Sequence, residues 1–584
     1  MIGQDPVDTS SWRRVRRYAV PRTMIEHATE RRLAGDWAGA CAAADVDVGL
    51  DLRDVAARHG ADVAAAVEDD LRHLVPDLLR WHLPRTLGGR TTLATDVAVL
   101  LSRHASRVDG PVLLYVRTPT TIDGPQRLAL RLGSPQAERW PRVRAVTCED
   151  WSTARHLWDA RHTAELRERC GGGPDRPPFM EADGTPRDPS RLPVVDPGDG
   201  PGVDPAARTE WTVLLQQRGR TAEAFAAAGI TLDGAPPRFA LTPHVLTLTR
   251  LEDELRRLAA QQSGSRFRLD AGMRGTLFLE PADRAEGTVR AQVAEPPGDT
   301  PLLPRWLHRP LPDLQLLRAG HLAPAELHPL VGASLFPSLP VPEGPPGPRT
   351  PEPVRVRCGG AWHEVVSRGG QLDIPHGEQE QPPVRAACGL PAACDLPADC
   401  RRLLARPRPT DCFAVREAWT TGRGRLPKAL RAQRAELFQR AQHGDTAGVL
   451  ALLDAGVDPR VRDGGRRSLL HVLHLLDHEA LLPRLVEAGL DLEAQDCRQR
   501  TPLYAAVYAG GSPALVRTFL ALGARIDAVD DRGLTMAQVI RPYGRSDLAF
   551  LCERVEREHP HRGSWWSGMT PDEEPVWKRR GLRK

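Results

Sequence analysis

At 584 residues the chain is too long for one hydrophobic core, and at ~150 residues per domain it sets an expectation of about four. Its 41% hydrophobic and 26% charged content is ordinary globular composition. A formal net charge of +4 excludes a global field that would draw it to nucleic acid or a membrane surface. Lys428, Lys578 and Lys584 are the only lysines among 79 basic residues, which leaves 76 arginines (79 − 3). With abundant Ala, Gly and Pro, this reads as the codon usage of a high-GC bacterial genome. Because no lysine precedes position 428, the front of the chain carries no Walker A lysine, no kinase-type ATP lysine and no Schiff-base lysine. The ten cysteines are scattered and form no disulfide framework. No apolar run reaches the ~18 residues of a membrane span. Arg13, Arg14, Arg16 and Arg17 are followed by Pro21, Glu26 and His27 where a signal peptide needs an apolar stretch. The expectation is a cytoplasmic protein.

In chain order, a first α+β domain is expected over 1–170. Residues 18–82 read as helical, with Met24, Ile25, Ala28, Leu33, Trp37 and Cys41 on one face and Leu71, Leu74, Leu78 and Trp81 continuing the pattern. Strands follow at 112–116, 127–132 and 143–147, and Trp151–Cys170 returns to helix. Residues 171–205 hold nine prolines and seven glycines and read as a linker or long loop. A second α+β block spans 206–339. Helices are expected at 211–228 and 245–262, strands at 275–280 and 288–293, and a short helix at 322–336 opened by Pro324. A Pro-rich linker occupies 340–353. Over 354–425 a small β meander turns at Gly359-Gly360 and Gly369-Gly370, and a Cys/Pro-rich connector follows. Helical repeats fill 430–558, and 559–584 is a basic tail.

The repeats are the most legible part of the chain. Ser468-Leu469-Leu470-His471 returns 33 residues later as Thr501-Pro502-Leu503-Tyr504, since 501 − 468 = 33. Leucine runs ending at Gly456 and Gly489 share that spacing, and a third ends at Gly523. A 33-residue period with a T-P-L-H-like tetrapeptide resembles the ankyrin repeat. The resemblance covers roughly 434–555, as three to four repeats with a cap-like first unit. The whole chain is similar to bacterial ankyrin-repeat proteins. Ser468 and Thr501 suit helix N-caps, and Pro502 suits a first helical turn. Gly456, Gly489 and Gly523 suit helix ends that need φ > 0. The resemblance implies that His471 ties neighbouring repeats together, a tie that Tyr504 puts in doubt for the third. It also implies a protein-binding surface on the turn tips and inner helix faces. The matching positions are Arg460, Arg462, Arg466 and Arg467 at the first tip, Gln495, Arg498 and Arg500 at the second, and Asp530, Asp531 and Arg532 at the third. Leu475, His478 and Tyr508 match the inner-helix positions. An acidic protein partner suits the arginines.

No catalytic constellation is legible. Gly88-Gly89-Arg90-Thr91-Thr92 has arginine where a phosphate loop needs lysine. His363-Glu364 lacks the second histidine of H-E-x-x-H and reads as a half-exposed strand rather than a metal site. Cys388, Cys394, Cys400 and Cys412 are too widely spaced for a zinc ribbon, although His363 and His376 upstream leave an irregular zinc-bound connector at 358–412 as a weaker idea. His471, His474 and His478 form a helical row without further ligands. The basic tail at 577–584 has no nucleic-acid-binding fold behind it. The fold expected is therefore multidomain α+β in front of an all-α ankyrin solenoid. The function expected is that of an interaction or scaffold protein with no metal or cofactor. The rival expectation is an enzyme or effector in 1–340 with the array as adaptor.

Overall fold

The computed structural model describes residues 8–106, 110–136, 146–193, 204–233, 246–261, 266–270, 276–281, 289–293, 300–376, 411–540 and 545–560. Cys388, Cys394, Cys400 and the basic tail lie outside them. The chain is mixed α/β with several small sheets and forms two compact units. One comprises Met1–Pro119 and Arg127–Pro346, the other Thr120–Gln126 and Gly347–Lys584. Among the described residues no helix is long and apolar enough to cross a membrane.

The first unit holds a five-stranded sheet in the order β1-β4-β3-β2-β5. Its strands are β1 (Val46–Val48), β2 (Val97–His104), β3 (Val112–Arg117), β4 (Leu128–Gly133) and β5 (Thr147–Asp150). β2, β3 and β4 run antiparallel in sequence, while β1 and β5 add parallel edges. The apolar run of β2 has a cause on each face. Val97, Val99 and Leu101 meet the main core, and Ala98 packs with Tyr115 on the other side. Helix Ala61–His73 lies on the sheet through Val67 and Leu71. Helix Pro76–His82 opens with Pro76, whose missing N–H is harmless there, and buries Trp81.

Two helical expectations in this unit are corrected. The stretch 18–82 is not continuous helix, because Val46–Val48 forms β1, paired with Leu128–Leu130. Three residues are too few to carry a period-2 signal. Trp151–Cys170 is mostly tight turns, with 3-10 segments at Arg155–Leu157 and Thr163–Glu165 before one helical turn at Leu166–Arg169. The fully buried Asp159 accepts from Arg155, from Arg161 and from the Arg161 backbone N–H, and this local bonding competes with the helical ladder.

The described part of the Pro/Gly-dense stretch, through residue 193, packs against the core. Met180 is buried, and the buried Glu210 accepts from Arg176 at 2.5 Å and from the Phe179 N–H at 2.7 Å. A second sheet follows in the order β6-β9-β8-β7, from β6 (Ile230–Asp233), β7 (Phe267–Asp270), β8 (Thr276–Pro281) and β9 (Val289–Val293). Helices Pro205–Gln217, Thr221–Ala227 and Leu251–Gln261 supply Leu215, Phe225, Leu251, Leu255 and Leu258 to its core. Pro324 opens only a 3-10 turn, Pro324–Glu326, and the α-helix Pro329–Leu335 opens at Pro329. His328 caps it, accepting from the Leu330 N–H, and reaches the buried Asp77 at 2.9 Å.

The second unit begins with an antiparallel meander, β10 (Val354–Cys358), β11 (Ala361–Arg368) and β12 (Gln371–Asp373). Its core face carries Val354, Val356, Val365, Leu372 and Ile374 against Val415 and Trp419 of helix Cys412–Thr421. Four helix pairs follow in a row: Lys428–Gln442 with Thr446–Asp454, Leu469–Leu475 with His478–Glu487, Pro502–Ala509 with Pro513–Ala521, and Met536–Ile540 with Ala549–Glu558. Leu469–Leu475 is a 3-10 helix rather than α. The first members of successive pairs pack on one another. One connected apolar core runs from Val354 to Val555, so meander and helix pairs share an interior.

Candidate functional site

The turns between the helix pairs repeat one construction. Asp463 Oδ1 accepts from the N–H groups of Gly465 and Arg467, both at 2.8 Å. Asp496 Oδ1 accepts from Arg498 and Arg500 at 2.7 and 2.9 Å. Asp530 Oδ1 accepts from Arg532 and Leu534, both at 3.0 Å. In each turn the carboxylate holds the backbone two and four residues on, as an Asx-type turn does. Backbone bonds also join neighbouring turns, from Cys497 N–H to the Gly465 carbonyl and from Asp531 N–H to the Arg498 carbonyl. The aspartates recur 33 and 34 residues apart (496 − 463, 530 − 496), a signal present in the sequence beside the glycines.

This construction sorts the candidate arginines. Arg460, Gln495, Arg498 and Arg532 are exposed at the tips, although Arg460 also pairs with the buried Asp458 at 2.9 Å. Arg462 points to the Gln495 carbonyl, and Arg466 donates to the Asp496 carbonyl at 2.5 Å. Arg467 pairs with its own turn's Asp463 at 2.8 Å. Arg500 lies 3.8 Å from Asp530 and 3.8 Å above the Tyr508 ring, a cation–π contact. Arg466, Arg467 and Arg500 therefore brace the turns. Leu475 belongs to the core, and His478 starts its helix half-buried.

The structural positions are equally specific. Thr501 Oγ1 accepts from the Tyr504 N–H, Pro502 opens that helix, and Gly456, Gly489 and Gly523 all have positive φ after their helices. His471 Nδ1 accepts from the Ser468 N–H at 3.1 Å and lies 2.9 Å from Ser468 Oγ, so Nε2 carries the proton and donates to the Arg500 carbonyl at 3.0 Å. That bond links two helix pairs. Tyr504, at the equivalent position, is fully buried, and burial followed by the Asp530 carboxylate raises its phenol.

Burial pushes His471 down to about 4, against the pull of the Arg500 carbonyl, which favours the charged form. An unfolded histidine titrates near 6.5. Between these values the unfolded chain binds the proton and the folded chain does not. The contribution is therefore complete above about 6.5 and lost as the pH falls toward about 4, on the order of 2–3 kcal/mol. Hydrogen exchange of the amides in Leu469–Leu475, corrected for intrinsic rates, should show protection falling from pH 7 to pH 5. Unchanged protection across that range would count against it.

At the start of the same unit, four metal-binding side chains converge. The Gly359-Gly360 turn sets Val356 opposite His363, so Cys358, two residues beyond Val356, projects from the same face as His363. His376 follows β12, and Cys412 opens the helix capped by Asp411. His376 Nε2 lies 3.4 Å from Cys358 Sγ and 3.1 Å from His363 Nδ1, and Cys412 Sγ lies 3.6 Å from His363 Nδ1. All four donor atoms fall within 4.8 Å of one another. Phe413 stacks on the His376 ring with centroids 5.0 Å apart. Sequence spacing sets His363 aside because it assumes ligands sharing a helix face. Here they come from a hairpin, a strand end and a helix start. Of the cysteines weighed for zinc, Cys412 is in this group among the described residues, and Cys358 joins it. The row His471, His474, His478 is not such a cluster, since His471 is bonded as above and His474 Nε2 bonds the Asp123 carbonyl at 3.1 Å.

Ser102, His104 and Asp70 lie together, but Ser102 Oγ and Asp70 both contact His104 Nε2, at 2.9 and 3.1 Å. A nucleophile–base relay needs the two ring nitrogens to serve different partners. Burial raises Asp70, but His104, Ser102 and Arg155 outweigh it and hold the carboxyl at about 2. His82 and His156 are pushed well down by burial, and Glu149 is pushed up by it. An open cleft of about 700 Å³ lies instead in the second unit, between Ser367–Gly370 and the helix ends at Leu453–Gly456 and Arg484. No protein-family model matches the chain.

Proposed function

We propose that the second unit is an ankyrin-type array that binds a protein partner in the cytoplasm through the exposed tips of its turns. The observation that carries this reading is the turn built three times on Asp463, Asp496 and Asp530, with consecutive turns hydrogen-bonded to each other. Helix pairs whose first members stack support it, because one pair cannot bury its own apolar face. The contact residues are Arg460, Gln495, Arg498 and Arg532, and an acidic partner surface suits three arginines so placed. Arg462, Arg466, Arg467 and Arg500 position those tips.

The test is a pull-down with full-length protein carrying Arg498→Glu and Arg532→Glu, with Arg460 kept because it pairs with the buried Asp458. These exposed substitutions are expected to leave the fold intact and to weaken partner binding about ten-fold or more. Retention of the same proteins by both versions, with the same salt dependence, would sink the reading.

A further inference from the structure

We propose that Cys358, His363, His376 and Cys412 hold one zinc ion in a closed structural site. The proposal is independent of the partner-binding reading.

The geometry argues for it first. Zn–S bonds of about 2.3 Å and Zn–N bonds of about 2.0–2.1 Å in a tetrahedron place the ligand atoms about 3.3 Å apart for N···N and about 3.6 Å apart for N···S. The observed N···N separation is 3.1 Å, and two of the four N···S separations are 3.4 and 3.6 Å. Three of the six ligand separations thus match a zinc tetrahedron, and all six lie within 4.8 Å. Their chemistry argues for it next. Two sulfurs and two imidazole nitrogens in tetrahedral array select zinc among common metals, whereas magnesium and calcium want oxygen. Four protein ligands leave no open position for water, so the ion's role is structural rather than hydrolytic.

The supporting structure is rigid. Cys358 and His363 are set by the β10–β11 register, Cys412 is fully buried at a capped helix start, and Phe413 covers His376. The ion would sit at one end of the interface between the meander and helix Cys412–Thr421. Binding there would also hold His376 and Cys412, far apart in sequence, to one ion, so the binding free energy adds to that of folding.

Full-length protein, expressed in zinc-supplemented medium and purified without chelator, should contain about one zinc per chain by elemental analysis. Cobalt exchanged into it should give the visible bands of a tetrahedral site with two thiolate ligands. The double variant Cys358→Ser, Cys412→Ser should lose the metal. The triple variant Cys388→Ser, Cys394→Ser, Cys400→Ser should keep it. A chain that stays metal-free after reconstitution overturns the proposal. So does zinc retained by the double variant, or zinc lost from the triple one. If the double variant fails to fold, the cobalt spectrum of the intact chain and the triple variant still decide.

Discussion

Asp313→Ala is expected to destabilise the first unit by about 3–5 kcal/mol, the cost of stranding a buried charge. Asp313 and Arg16 are both almost wholly buried and meet in a two-pronged pair at 2.8 and 2.7 Å. The Trp81 indole N–H also donates to Asp313 at 3.1 Å, and the Trp81 carbonyl accepts from Arg16 at 2.8 Å. The guanidinium lies 4.5 Å from the centre of the Trp81 ring. Alanine at 313 would leave a guanidinium and an indole N–H without their acceptor inside the core. The pair joins helix Thr9–Tyr18 to helix Pro312–Arg318, so the loss should spread to both ends of the unit. Hydrogen exchange of the helix Thr9–Tyr18 amides measures it. The double replacement Arg16→Met, Asp313→Leu should cost less than Asp313→Ala alone, because it removes the charges together. An equal or larger cost would show that shape rather than charge decides.

Arg440→Ala should cost the second unit a similar amount, about 3–5 kcal/mol. Arg440 is 2% exposed and donates to Asp445 at 2.6 Å and to Glu436 at 2.9 Å. Asp445 is also the N-cap of helix Thr446–Asp454, accepting from the Gly448 N–H at 2.8 Å. Without Arg440, two largely buried carboxylates face each other with no cation between them. Urea titration of wild type and variant at pH 7 checks the size, and a loss below about 1 kcal/mol would contradict this account.

Sequence legibility followed the length scale of each interaction. The meander could be read because Val354, Val356, Val365 and Leu372 alternate with polar residues and paired glycines mark both turns. The mixed α/β character was equally readable, from short apolar strands beside helical spacings. β1 could not be read, because three residues become a strand only when β4 is beside them. The helix expected at Trp151–Cys170 fails because Asp159 bonds locally to Arg155 and Arg161 and because Asp70 and Asp69, distant in sequence, engage the same two arginines. The Cys/His cluster was least legible, because its ligands share neither an element nor a motif spacing. Half of its signal was present in His363 and His376. The aspartates of the turns were a missed local signal, since their period matches that of Gly456, Gly489 and Gly523.

The third position after each turn aspartate has a further consequence. Arg466, Gln499 and Gly533 occupy it, with φ of 61°, 58° and 75°. Glycine adopts that conformation freely, whereas a side chain there costs roughly 1–2 kcal/mol. The third turn thus shows a relaxed form of the construction, and the first two maintain the same shape under load. Their geometry is fixed by Asp463, Asp496 and the bonds between neighbouring turns, before any partner arrives. If the proposed partner binds there, three tips held at a set repeat distance would act as a ruler, selecting it by the spacing of its acidic groups as well as by their number and offering a surface already ordered.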